Sequence, residues 1–175
     1  MKTKGFTLIE IIVACAIFLI LMLGVFQVMD IGRSAWHSGD VSVELRREII
    51  RAFTRMERDL KETRASETSL SSGASSPTLT FKIPQDNDND STVLDSAGSV
   101  EWSGNITYSL NGSNQIIRAD PWGATSVLAN NVTVLQFTRP LSLVDILQID
   151  ITVSKVSAIG GQMQDSGQIL IKMRN

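Results

Sequence analysis

One carboxylate in this chain stands where a carboxylate is costly. Residues 6–29 form an apolar run in which only Glu10 is charged and only Thr7 and Gln27 are otherwise polar. On the milder scale, an acid inside hydrocarbon costs roughly 2.5–3.5 kcal/mol. Glu10 therefore asks for a partner that neutralises it. Lys2, Lys4 and Gly5 lie directly before the run. Glycine suits a point where a protease must approach the backbone closely. The chemistry these residues imply is a charge pair at Glu10.

Other chemistry-bearing residues point to less. Asp86-Asn87-Asp88-Asn89-Asp90 places acids at alternate positions, as a calcium loop of the EF-hand kind begins. That pattern needs Gly at position six and Glu at position twelve. Here those positions hold Ser91 and Ala97. A solvated loop is the plain reading, and a looser calcium loop through Asp86, Asp88 and Asp90 is the alternative. His37 is the sole histidine and has no second ligand or nucleophile beside it. No phosphate loop, zinc motif or catalytic triad is present. We expect no cofactor and no enzymatic activity.

The element that positions Glu10 is a membrane helix. About 20 apolar residues cross a bilayer, and residues 6–29 suffice. Lys2 and Lys4 should hold the amino terminus in the cytoplasm, so the remainder is exported. Arg33 at the far end weakens that asymmetry slightly. An ordinary secretory signal would stop soon after its small-residue site, yet the run continues for over a dozen residues past Ala14-Cys15-Ala16. Ile12-Val13-Ala14-Cys15 fits a lipoprotein signal, but apolar sequence follows it, so Cys15 reads as a small apolar residue. A plain anchor explains the length and leaves Glu10 unexplained.

Gly5-Phe6-Thr7-Leu8-Ile9-Glu10, behind two lysines and before unbroken apolar sequence, resembles the class III signal of type IV prepilins and type II secretion pseudopilins. The resemblance implies that a prepilin peptidase/methyltransferase cuts after Gly5 and methylates Phe6. It also implies partners: other pilins or pseudopilins, an inner-membrane assembly platform and membrane lipid. Glu10 would pair with the amino terminus of a neighbouring Phe6 and fix the register between packed helices, a well-attested use of a buried charge pair.

Bulk composition agrees with a role other than nucleic-acid binding. Sixteen Lys and Arg face eighteen Asp and Glu, a net charge of −2. Such a balance predicts no nucleic-acid partner. With one cysteine, no internal disulfide forms, and the exported domain must be held by its core.

Past the membrane, Leu45, Ile49, Phe53, Met56 and Leu60 recur at helical spacing, and no proline occurs over 35–65. These five fall on one apolar stripe, expected to pack on the domain. Gly24, Gly32 and Gly39 each cost about 1 kcal/mol relative to Ala and offer sites for a bend or a locally melted segment. Trp36 reads as an interfacial anchor. Arg47, Arg51, Arg55 and Arg58 lie opposite the stripe. Glu44–Glu48–Arg51 and Glu57–Lys61 have helix-neighbour spacing, so a solvated, salt-bridged face is expected. Contact with a neighbouring subunit is the alternative.

The rest is β-rich. Ser, Thr and Gly over 66–76 read as a loop. Strands are expected at 79–83, 106–110, 115–119, 132–137, 147–156 and 168–173. Asn111-Gly112 and Asp120-Pro121-Trp122-Gly123 are turn signals. Leu147, Ile149, Ile151 and Val153 share one face. Trp102 and Trp122 read as core or turn-packing residues. The expected fold class is α+β: a pilin-like ladle with a long helix on an antiparallel sheet. The expected divisions are a leader over 1–5, a membrane helix over 6–29, an amphipathic helix over 30–65 and a globular domain over 66–175. Arg55-Met56-Glu57-Arg58-Asp59-Leu60 and the strand series after it resemble J-type minor pseudopilins and W-type minor pilins. That implies a minor subunit near a filament tip, in a secretion pseudopilus or alternatively in a type IV or competence pilus, where it would start assembly, adhere or help take up DNA. The tip-most K-type subunit commonly lacks the acid at Glu10.

Overall fold

A computed structural model describes residues 7–143, 145–157 and 160–174. The amino-terminal third of the chain is one α-helix, α1 (Leu8–Glu62), of 55 residues. The chain divides between Asp40 and Val41 into two compact units.

In the first unit, α1 is bare. Its apolar side chains are exposed all round, Leu8 at 77%, Ile20 at 69% and Val28 at 70%. The segment is long and apolar enough to cross a membrane. Gly24, Gly32 and Gly39 lie within continuous α-helix. No locally melted segment occurs there, since neighbouring turns carry enough helix-forming residues to offset each glycine.

In the second unit, the apolar stripe of α1 meets two sheets. Leu45, Ile49, Ala52, Met56 and Leu60 are buried, and Phe53 is half-buried against them. Eight strands follow: β1 (Ser75–Ser76), β2 (Leu79–Phe81), β3 (Ile106–Leu110), β4 (Ile116–Ala119), β5 (Thr125–Ala129), β6 (Val132–Thr138), β7 (Ile146–Val156) and β8 (Gln162–Lys172). They form two four-stranded antiparallel sheets, ordered β2-β3-β4-β5 and β1-β6-β7-β8. The α+β class is as expected, with the strands divided between two sheets.

Pattern and burial agree along β7. Leu147, Ile149, Ile151 and Val153 are each at most 1% exposed, while Gln148, Asp150 and Thr152 between them are half-exposed. A period of two is what a sheet with one covered face demands. The sheets join through aromatic rings. Tyr108 of β3 lies 4.9 Å from Phe81 of β2 and 6.5 Å from Phe137 of β6, centroid to centroid. Such separations suit favourable ring pairing.

Several boundaries moved. α1 ends at Glu62, and Thr63 turns the chain by donating its hydroxyl to the Lys82 carbonyl at 2.8 Å. β8 begins at 162, six residues before the expected start, and pairs with β7 from Val156↔Gln162 to Ile146↔Lys172. Its first half carries Gln, Asp, Ser and Gly, so the hydrophobic alternation that marks a strand is missing. Gly167 is required there: a Cβ would stand 2.8 Å from Ile49 Cγ2 and 2.9 Å from Phe53 Cε2. β1 and β5 are short edge strands with polar or exposed residues, which leaves little signal in sequence. Trp122 is 78% exposed, contrary to the core or turn-packing expectation. It sits at the tip of its turn, closed by the Gly123 amide donating to the Asp120 carbonyl at 3.0 Å.

Candidate functional site

Gly5 and Phe6, the expected cut and methylation residues, lie outside the described residues. The site's first described residues are Thr7 and Glu10, which cap α1 together. The Thr7 amide donates to Glu10 Oε2 at 3.3 Å, and the Thr7 hydroxyl approaches the same oxygen at 3.4 Å. The Glu10 amide donates back to the Thr7 carbonyl at 3.1 Å. This is one half of a capping box, in which Glu three residues after a Thr satisfies an amide the helix leaves free. Thr-x-x-Glu is legible in the sequence as a cap. Within a single chain, Glu10 has its own helix start as a partner. Trp36 is 75% exposed on α1. Its neighbour His37 is also exposed.

Along the exposed side of α1 in the second unit, Arg47, Arg51, Arg55 and Arg58 are all solvent-facing. Two of the expected helix pairs occur: Lys61–Glu57 at 2.7 Å and Arg51–Glu48 at 3.5 Å. Glu44 departs from the expected helix ladder. It accepts from Lys155 of β7 at 2.6 Å. Glu48 Oε2 accepts the Asn130 amide at 2.7 Å. These two acids thus tie the helix to the sheets, because each stands beside the buried stripe.

The acidic loop gathers differently from its sequence spacing. Carboxylate oxygens of Asp86, Asp88 and Glu101 lie within 4.8 Å of one another, and Asp90 is not in that group. Asp86 accepts the amides of Asn89 at 2.7 Å and Ser91 at 2.9 Å. Glu101 accepts the Asn87 amide at 2.6 Å. Asp90 instead holds Thr92, whose side chain and amide both donate to it, and these bonds lower its pKa. The oxygens that would face a cation are largely engaged by the loop's own backbone.

A buried polar cluster escaped the sequence reading. Asp59, on the buried side of α1, is 7% exposed. Its Oδ2 accepts from the Tyr108 hydroxyl at 2.8 Å and from Arg118 Nε at 2.8 Å. Arg118 also pairs with Asp120, and Arg55 approaches Asp59 Oδ1 at 3.8 Å. Burial pushes the Tyr108 hydroxyl well above the ordinary phenol range, and the Asp59 charge adds to that rise. For Arg118, burial alone would lower the pKa. The hydrogen bond and charge of Asp59, with Asp120, outweigh it and raise the value. The one usable signal was Asp59 itself, which stands three residues after Met56 on the apolar stripe. Asp59, Tyr108 and Arg118 are buried and bind helix to sheet, so they form a structural lock.

Residues 1–26 match the family model of the prokaryotic N-terminal methylation motif. That match, with the long apolar helix and the α+β domain, supports the type IV pilin or pseudopilin class, whose members are structural subunits. No curated protein and no solved structure matches the chain. For a pilin-class chain, the amino-terminal motif implies processing by a prepilin peptidase, membrane anchoring through the apolar helix and assembly with other pilins.

Proposed function

We propose that this pilin-class chain is a minor pseudopilin, a structural subunit near the tip of a type II secretion pseudopilus. One observation carries it: a methylation-type amino terminus that keeps Glu10 and is joined to a helix ending in Arg55-Met56-Glu57-Arg58-Asp59-Leu60. The terminal subunit of such filaments commonly lacks the acid, so its presence favours a position beside the tip. In this reading the amino terminus stays cytoplasmic, Trp36 rests at the outer surface of the inner membrane, and the domain is exported. Prepilin peptidase cuts after Gly5 and methylates Phe6. Glu10 then exchanges its own helix cap for the amine of a neighbouring Phe6.

Mass spectrometry of the membrane-extracted chain tests the processing. We expect an N-methylated Phe6 terminus; an intact Met1 or a terminus at Cys15 would remove the reading. Deletion of the gene then separates the two systems. Failed release of an exported enzyme supports the pseudopilin. Lost piliation or DNA uptake with normal secretion replaces it with a minor pilin.

A further inference from the structure

Four arginines line one exposed flank of α1 in the second unit. Arg47, Arg51 and Arg55 recur every four residues, Arg58 follows after three, and all are exposed. Arg51 and Arg55 each reach one carboxylate, Glu48 at 3.5 Å and Asp59 at 3.8 Å. Both carboxylates make shorter bonds elsewhere, Glu48 to the Asn130 amide at 2.7 Å and Asp59 to Tyr108 and Arg118 at 2.8 Å. Among the described residues, Arg47 and Arg58 form no ion pair.

Arg51 and Arg55 border a hollow of about 290 Å³ whose other wall is Ser126, Val127 and Leu128 of β5. β5 is the edge of its sheet and pairs with β4 alone among the described strands. That pairing is regular from Thr125 to Val127, and its register shifts only before Ala129. Among the described residues, no hydrogen bond from outside the sheet reaches the backbone of 125–128. β5 carries neither charge nor proline, two means by which edges are commonly blunted. An open edge accepts an added strand, and the arginines decide the chemistry of that strand. Arginines four apart on a helix stand about 6 Å apart along its axis. Alternate residues of a strand stand about 6.6 Å apart and share one face. A segment running along α1 with acids at alternate positions therefore meets successive arginines while its backbone pairs with β5.

This chain's own acidic stretch does not supply that strand. It turns through Asn89 and Ser91 in the left-handed region, and Asp86 accepts the stretch's own amides. A subunit beside a filament tip has chains of other sequence as neighbours. Packed membrane helices hold such neighbours at high effective concentration.

We propose that the hollow between α1 and β5 receives an extended segment of a different filament subunit, with acids at alternate positions. The contact deepens the minor-subunit reading and rests on it. Exposed ion pairs are weak and screened by salt, so the contact is one that membrane-held neighbours sustain. It selects which neighbour lies beside this chain, because a segment carrying Lys or Arg at those positions is repelled.

Cross-linking of the full chain in its own cells tests this, with a photoreactive benzophenone amino acid in place of Val127, which is 48% exposed in the hollow. We expect a light-dependent adduct with a second pilin-class chain of different sequence. Mass spectrometry should place the link in an extended stretch with acids at alternate positions. Arg47→Glu with Arg51→Glu should lower the adduct about tenfold at an unchanged membrane level of the chain. Lysines in place of the partner's acids should restore it in that variant, because the reversed charges again attract. Arg46→Glu is the control: Arg46 borders the hollow beside Met163 and Asp165 instead, and its loss should leave the adduct unchanged. No adduct, an adduct with a second copy of this chain, a linked stretch without acids, or a charge-reversed variant that links as strongly as the parent overturns the contact. The processed Phe6 terminus is read independently, so the contact can fail while the pilin-class reading stands.

Discussion

Asp59 shows how one residue can hold a helix to a sheet. Its carboxylate is buried and receives Tyr108 and Arg118, while Arg55 stands nearby. Removing one partner of a buried pair leaves the other charge uncompensated, at a cost of about 3–5 kcal/mol. Asp59→Ala should therefore lower the thermal unfolding temperature of the full chain in micelles sharply. The loss should shrink when Arg118→Met is added, as a double-mutant cycle would record. Tyr108 gives a pH prediction of definite sign. Its folded pKa lies above the ordinary value of 10.0. The stability it contributes is fully present below that ordinary value and is lost as pH rises beyond it. Tyr108→Phe should cost about 1.5–3 kcal/mol at neutral pH, the range for hydrogen bonds to charged groups. It should also flatten the decline in stability above pH 10. A variant with an unchanged alkaline melting profile would contradict the assignment.

The helix-to-sheet seam is decided by side-chain size. Gly167 lies where a Cβ would stand under 3 Å from Ile49 and Phe53. Gly167→Ala should therefore destabilise, by about 1–3 kcal/mol for overpacking a filled core. Phe53→Leu in the same chain should recover part of it, read by the same melting curves, because Phe53 is only half-buried and can yield. Full additivity of the two substitutions would place the strain elsewhere. The same seam explains why β8 was half legible. Its later half, around Ile169 and Ile171, shows the alternation of a strand, and its early half trades that alternation for a glycine the helix needs.

Across the whole molecule, Glu10 caps α1, and one pair of variants separates that cap from the proposed register role. Glu10→Gln keeps an acceptor that can cap the Thr7 amide, and Glu10→Ala removes both cap and charge. If Glu10 sets subunit register by its charge, both variants should insert normally and both should fail to enter the filament, as sheared-filament immunoblots would record. Incorporation of the Gln variant at the normal level would reduce Glu10 to a helix cap. For the acidic loop, we expect no heat on titration with millimolar calcium, because Asp86 and Glu101 already accept backbone amides. Measurable heat would make Asp86, Asp88 and Glu101 the ligands.

The sequence alone determined what depends on local pattern. An apolar run of this length forms a membrane-length helix, because hydrocarbon tolerates no unsatisfied polar backbone, and the single acid within it stands out because unpaired charge is costly there. Period-four apolar spacing and period-two alternation placed α1, β3, β4, β6 and β7. Tertiary structure decided what depends on residues far apart in the chain. It split the strands into two sheets and extended β8 past its pattern. It brought Asp59 to Tyr108 and Arg118 across separations of 49 and 59 residues. It also gave Glu44 and Glu48 partners on the sheets, Lys155 and the Asn130 amide, that helix spacing alone does not foretell. Charges interleaved along a chain share a face only when the fold lets them, and here Glu44 and Asp59 find their partners on the sheets.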